Sequence, residues 1–352
     1  MSIKDKARNL LPKKAAGQVN SEITSSVGSI DAPRPLNYVW DTSDTIFRNV
    51  MRIAGSSVLV IMATVGIFLT MRAGDALGKA GWGFFTTEAW EPDAGKFGIK
   101  AVIVGTIIIA IIAVCLAVPF SLATSLYISE YAPRRIKKAL VTLVDLMAAI
   151  PSVVFGLWGL FFLQVQIAPV AKWIATYFSW IPFLSVDNFD SNDPLASNTL
   201  FTSSSLIAGI VVGLMITPIV TSVMREVFSQ APIGEREAAL GLGSTRWGMI
   251  RNVVLSFGKG GIIGATMLGL GRALGETIAV YLIISPVFVI QPHILQNGAN
   301  SVSSLIALRY GEATDMGMSA LMAAGLALFI MTLIVNFGAS SIVARSRSGA
   351  SS

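Results

Sequence analysis

The sequence predicts an all-α membrane protein with six transmembrane helices, and three observations carry that prediction. Of the 352 residues, 53% are hydrophobic and only 13% charged, with mean hydropathy +0.69. A soluble domain carries about 25% charged residues. This chain has too few to clothe a water-facing surface, and lipid as solvent removes the need for one. Six apolar runs lie near 52–71, 101–124, 139–164, 203–224, 260–285 and 317–343, each of the order of the ~20 residues a helix needs to cross a hydrocarbon core. These runs are continuous, whereas a closed barrel would show alternating segments of about ten residues.

Residues 1–48 are polar, with Lys4, Lys6, Arg8, Lys13 and Lys14 first and no apolar stretch behind them. A cleavable signal places its apolar region directly after the basic one, so this is read as a tail, loosely ordered over 1–38. Residues 41–52 suit an interfacial lead-in, with Ser43 as a helix cap and Ile46, Phe47 and Val50 on one face. The first span carries no charge between Ala54 and Thr70. The loop 72–100 holds Trp82, Phe84, Phe85 and Trp90. The loop 165–202 holds Trp173, Tyr177, Phe178, Trp180 and Phe183, then an acidic stretch from Asp187 to Asn198. Aromatic belts at the interface explain such residues. Residues 170–181 read as a short helix on the membrane surface, serving as a lipid anchor or as a docking surface. The division expected is a tail over 1–48, a six-helix membrane domain over 49–345 containing the long loop 225–259, and a tail over 346–352.

Orientation follows from Lys and Arg. With the N-terminus inside, inner segments hold 19 basic residues and outer segments 6, leaving Arg272 within a span. Both termini are expected to be cytoplasmic. The net charge of +6 then needs lipid as its partner and no nucleic acid. One cysteine, Cys115, excludes an intramolecular disulfide, and one histidine, His293, argues against a His-based metal cluster. No metal site is expected.

The loop 225–259 has more helical signal than a reversal between two spans requires. Glu235 to Leu242 suits a short helix with acidic residues in its first turn, and Gly243 stops it. Ser244 or Thr245 can then cap a second helix through Trp247, Met249, Ile250 and Val253. Ala238 and Ala239 keep one face small enough to enter a groove on another protein.

Within the fifth span stand Arg272 and Glu276, four residues apart and thus on one face of a continuous helix. A central charge costs about 2.5–3.5 kcal/mol on the insertion scale, and an Arg–Glu pair on a helix surface returns only a few tenths. Either partner helices accept the pair structurally, or it serves an oxyanion path. A guanidinium fork binds phosphate in a bidentate way, and Glu276 beside it would keep the anion from being trapped. Gly271 and Gly275 permit close approach of a neighbouring helix. Ser152 and Thr217 offer hydroxyls to an anion or to their own helix backbone. Pro151 and Pro218, placed inside spans, are hinges or ordinary membrane prolines. Ser301, Ser303 and Ser304 are candidates for an entry mouth. No Gly-Lys is followed by Ser or Thr, so the chain has no phosphate cradle of the P-loop kind and is not an ATPase.

Glu237-Ala238-Ala239, three residues, then Gly243 resembles the EAA loop of ABC importer permeases, which docks the cytosolic ATPase. Ser256 stands where that family usually has Pro. The string Gly269-Leu-Gly-Arg-Ala-Leu-Gly-Glu-Thr-Ile-Ala-Val280 resembles the fifth span of phosphate-type ABC permeases. So do Ala149-Ile-Pro-Ser-Val-Val-Phe-Gly156 and Tyr127-Ile-Ser-Glu-Tyr-Ala-Pro133, while Phe85-Thr-Thr-Glu-Ala-Trp90 resembles the PstC subunit rather than its PstA partner. The resemblance covers roughly 45–343. It implies the type I importer permease fold and a multi-pass place in the bacterial plasma (inner) membrane. It also implies a second, PstA-like permease, two cytosolic ATPase subunits that hold ATP and magnesium, and an outer phosphate-binding protein. Arg272 and Glu276 take the substrate-path role. The chain itself is expected to hold no cofactor and to be a transport subunit, not an enzyme. A permease for sulfate or molybdate is the alternative that the residues alone leave open. A secondary anion transporter would need no docking loop.

Overall fold

Long runs of Ile, Val, Leu and Ala with no charge favour helices, which pair every backbone group within one segment. Six result: Thr42–Arg72, Lys100–Tyr131, Ser152–Phe178, Ser205–Ser229, Arg246–Leu274 and Asp315–Gly338, all long and apolar enough to cross a membrane. They are spans 1 to 6 below. The computed structural model describes residues 42–187, 189 and 198–348, side chains at 339 and 342–348 excepted. The tail over 1–41, most of the acidic stretch after Asp187, and residues 349–352 lie outside the described residues.

The chain divides into two units, Met1–Met62 and Ala63–Ser352. In the first, the described residues form one helix from Thr42. Asp44 in its first turn lies 2.7 Å from Arg48, the acid-before-base order that suits a helix start. The expected lead-in is thus continuous with span 1, and Ser43 lies inside the helix rather than ahead of it.

The second unit is built around span 4, of which 61% of the apolar window is buried. Its Ile207, Val211, Val212, Met215 and Ile216 pack with Ile109, Ala110, Ala113 and Ala117 of span 2 and with Ala273 and Leu274 of span 5. Lipid offers no hydrophobic drive between helices, so small residues that let backbones approach do this work. A Cβ on Gly258, Gly261 or Gly269 of span 5 would stand 2.6, 2.5 or 2.7 Å from Phe228, Val227 or Val220 of span 4. The expected Gly271/Gly275 step is not such a contact. Gly271 meets only Asn336 Oδ1, at 3.5 Å, and Gly275 only the Gly271 carbonyl of its own helix, at 3.6 Å.

The third apolar run is divided. Arg134–Ala148 is an amphipathic helix, Ala149 to Pro151 break it, and Ser152 starts the next. Proline keeps the residue before it out of the helical region, and its own ring suits a helix start. Pro151 therefore lies between two helices and not within one, whereas Pro218 is buried inside span 4. Both pieces track span 4: Ser222 Oγ donates to Asp145 Oδ1 at 2.9 Å, and Gly159 meets Val211. Residues 170–178 continue span 3, correcting the expected surface helix, because Ala168, Ala171 and Ala175 give them a buried face against Phe201 and Leu295. Five-residue π turns occur in three spans: Tyr127–Tyr131 ends span 2, and Gly159–Leu163 and Ile250–Val254 lie within spans 3 and 5.

On the face away from the loop 225–259, Phe84, Phe97, Ile99, Val302, Leu305 and Leu321 form a second core. A two-residue antiparallel pair, Trp90–Glu91 with Lys96–Phe97, is a feature the apolar pattern did not reveal. Glu88 fastens this cap. It accepts from Lys100 Nζ at 3.0 Å and from the Ile290 N–H at 3.4 Å. Those two bonds, the lysine's first, hold its carboxyl below the ordinary carboxylate range. A lowered folded pKa contributes stability above the unfolded value, which is lost as pH falls through the folded one. Glu88→Gln is therefore expected to melt below the parent at neutral pH, with the gap closing on acidification. Thermal unfolding in detergent from pH 7 to about 3 checks this, and a gap independent of pH would refute it.

Candidate substrate path and coupling loop

Span 5 ends early. Its helix stops at Leu274, Gly275 to Thr277 leave the helical ladder, and a second helix runs only from Ile278 to Ile283. The run 260–285 is thus two pieces, not the single span its hydropathy suggested. Gly275 has no side chain to hold the helix, and the Glu276 carboxylate competes for backbone N–H groups. Its Oε1 accepts from the Ala279 N–H at 3.2 Å, in the first turn of the second helix. Its carbonyl accepts from Ser303 Oγ at 2.6 Å. Glu276 is only 8% exposed. The break therefore has its polar groups met from within the protein, the condition for irregular backbone at membrane depth.

Arg272 does not join it. The guanidinium makes no ion pair with Glu276 and is exposed. The expectation that Glu276 holds Arg272 on one helix face fails because the helix ends between them. Gly269 lies against Ile216 and Val220, so Arg272 stands within about a turn of the midpoint of span 4. The structure presents an exposed cation near the level of the middle of span 4, beside a break held by a buried carboxylate.

The serines expected at an entry mouth belong to this break. Ser301 Oγ and the Ser304 N–H form a capping box that starts the helix Val302–Arg309, and Ser303 reaches Glu276. All three are buried. Ser152 sits half-buried in the first turn of span 3. One turn on, a Cβ at Gly156 would stand 2.9 Å from Ala279 Cα, so that turn adjoins the helix that Glu276 caps. Thr217 donates its hydroxyl to Gly213 O at 2.7 Å, the bond to its own helix backbone.

The loop 225–259 is helix, glycine turn, helix, as its residues imply. The first helix is Ile233–Gly241. Gly243 follows at φ +85°, a conformation a β-carbon disfavours. Thr245 caps the second helix by accepting from the Gly248 N–H at 3.1 Å. That helix does not end. It passes through a π turn directly into span 5 as Arg246–Leu274, so Ser256, where a proline is usual, is interior and caps nothing. Glu237, Ala238 and Gly243 are exposed and Ala239 is half-buried. Beside them Ile233, Leu240, Leu242 and Trp247 are exposed, Leu242 at 89%. Contiguous apolar side chains around a small-residue helix are what a docking face requires.

Sequence reasoning missed the break at 275–277, Ser303 as its partner, and Glu130. The last closes an ion pair with Arg236 of the loop at 3.0 Å. Gly275 before a carboxylate was the one local signal for the break.

Residues 121–348 match the family model described as binding-protein-dependent transport system inner membrane component. The chain is 36% identical over 303 residues to the phosphate transport system permease protein PstC 2 of Mycobacterium bovis, covering 85% of this chain and 91% of that one. It is 35% identical over 294 residues to the phosphate transport system permease protein PstC of Xylella fastidiosa, covering 83% and 88%. Its fold is similar to a chain in the crystal structure of a bacterial ABC transporter involved in the import of the acidic polysaccharide alginate. There the TM-score is 0.52 at 17% identity, over 86% of this chain and 98% of that one.

Glu276→Ala is expected to cost about 1 kcal/mol through the lost cap on Ala279, while Glu276→Gln, which keeps an accepting oxygen, costs less. Equal losses of melting temperature in the two variants would show that the cap does not hold the break.

Proposed function

The chain belongs to the binding-protein-dependent transport system inner membrane component family, and from that membership we propose that it forms, with a partner permease, the path by which an ATP-driven importer moves inorganic phosphate into the cytoplasm. It is a transport component of the bacterial inner membrane rather than an enzyme. The PstC names of relatives matched over most of both chains support phosphate over another oxyanion.

The observation that carries the reading is Arg272, a cation at mid-membrane with one flank open. Exposed to lipid it would cost about 2.5–3.5 kcal/mol. A second, PstA-like permease covering that flank removes the cost and encloses a path between the subunits. The fork of Arg272 then meets the anion, always charged and matched to two phosphate oxygens. Glu276 stays on the protein side as the brace of the break. It holds the first turn of the second helix, against which the Ser152 turn packs, and so positions the lining instead of touching Arg272. Ser152 and Thr217 remain lining candidates, Thr217 only as an acceptor for a P–OH of protonated phosphate, because its own proton is committed to Gly213. A path must bind weakly enough to release, and a monovalent guanidinium not neutralised by Glu276 suits that.

Power enters from outside the chain. Glu237, Ala238, Ala239 and Gly243 form the docking surface for one of two ATPase subunits, which bind ATP and magnesium. The loop and both termini face the cytoplasm, and the cap around Glu88 faces the phosphate-binding protein. The basic residues near the loop 225–259 support that orientation.

Arg272→Gln is expected to reduce phosphate uptake by the assembled complex to background while the subunits still co-purify. Uptake at the parent rate would remove Arg272 from the path. Glu237→Lys is expected to lower both ATPase binding and phosphate uptake; a complex that hydrolyses ATP and transports as before would show that the docking face lies elsewhere. Labelled phosphate competed against sulfate in the same vesicles separates the two oxyanion readings.

A further inference from the structure

Three consecutive charges open the docking helix, Glu235, Arg236 and Glu237, and they do not behave alike. Glu235 and Glu237 are exposed. Arg236 turns into the protein, where its side chain is 20% exposed and that of its partner, Glu130, only 5%. The guanidinium approaches both Glu130 oxygens, at 3.0 and 3.3 Å. It also donates to the carbonyl of Phe228, in the last turn of span 4. One side chain therefore ties three elements together: the docking helix, the end of span 4 and the π turn Tyr127–Tyr131 that ends span 2.

The second helix of the loop is tied to the same π turn. Arg246 places its guanidinium carbon 5.3 Å from the centre of the Tyr131 ring, a cation–π distance. The loop's two arms thus grip adjacent residues, Glu130 and Tyr131. Apolar backing is modest on the first arm, where Ala239 is the half-buried residue packed against Met249, Ile250 and Val254. A part-buried, charge-assisted pair, in which one guanidinium nitrogen reaches both carboxylate oxygens and the other holds the Phe228 carbonyl, is stiffer than such a contact and directional. Pairs of this kind bring little net stability, since apolar residues of similar volume replace them at no loss; their value lies in geometry. π turns recur at functional sites, where the extra residue leaves the helix ladder able to shift.

We propose that Glu130 and Arg236 form the strut that carries movement of the docking helix into span 2, and through Phe228 into span 4, with Arg246 on Tyr131 as its second arm. The proposal rests on the reading of the loop as the ATPase-docking surface. Glu130 and Arg236 are positioning residues, distinct from the exposed face that meets the ATPase and from Arg272.

The test uses the whole complex in proteoliposomes with its binding protein, and reads phosphate taken up per ATP hydrolysed together with ATPase subunits retained. Arg236→Gln is expected to keep the ATPase subunits and continue hydrolysis, while uptake per ATP falls about tenfold, near the upper range for residues that modulate coupling between sites. The double variant Glu130→Leu/Arg236→Met preserves burial without charge and guards against misfolding of the single one; it is expected to be uncoupled to the same degree. A ratio within about twofold of the parent in either assembled variant overturns the proposal. So does loss of assembly in both, or hydrolysis and uptake falling in step with lost ATPase subunits, because the pair is then a staple of the fold. A parent complex that neither hydrolyses ATP nor takes up phosphate would instead remove the transport reading on which the proposal stands.

Discussion

Inside a hydrocarbon layer every backbone donor and acceptor needs a partner from the protein, and the break in span 5 is where this chain meets that requirement by tertiary means. The Glu276 carboxylate, 8% exposed, takes the Ala279 N–H, and its carbonyl takes Ser303. Around those two bonds the rest is arranged. The helix Val302–Arg309 is capped so that Ser303 points at the break, and span 3 begins at Pro151 so that Gly156 lies against Ala279. With the break satisfied from one side, Arg272 is left facing the other.

That division of labour separates two residues that look like one pair in the sequence. A carboxylate four residues from a guanidinium suggests mutual neutralisation. Here the carboxylate is committed to backbone and the guanidinium remains available. An exposed cation within the apolar spans carries a cost in lipid that a protein neighbour covering it would remove.

The loop at the opposite end follows the same logic of inward and outward faces. Glu237, Leu240 and Leu242 look out, and Arg236 looks in. The second arm of the loop runs through the π turn Ile250–Val254 into span 5, so the exposed Trp247 and Arg272 lie on one helical segment, Arg246–Leu274. The first arm joins span 4 through residues 230–232 and reaches span 2 through the pair of Arg236 with Glu130.

The sequence alone determined the class of protein, the six apolar segments, the helix–turn–helix form of the loop and the identity of Arg272 and Glu276 as residues out of place in lipid. Each of these depends on local composition or spacing: hydropathy over about 20 residues, an acidic first turn, a glycine needed at φ +85°, a charge where none is tolerated. Tertiary structure alone decided how the break at residues 275–277 is held, because the Glu276 carbonyl finds Ser303 only across packed helices, whereas the break before Ser152 has a local cause in Pro151. It also decided which glycines bring helices together: Gly258, Gly261 and Gly269 face span 4, whereas Gly271 and Gly275 do not. The ion pair of Glu130 with Arg236, 106 residues apart, was beyond any local signal. Partners at that separation are chosen by the packing of whole helices, and hydropathy records only that each helix exists.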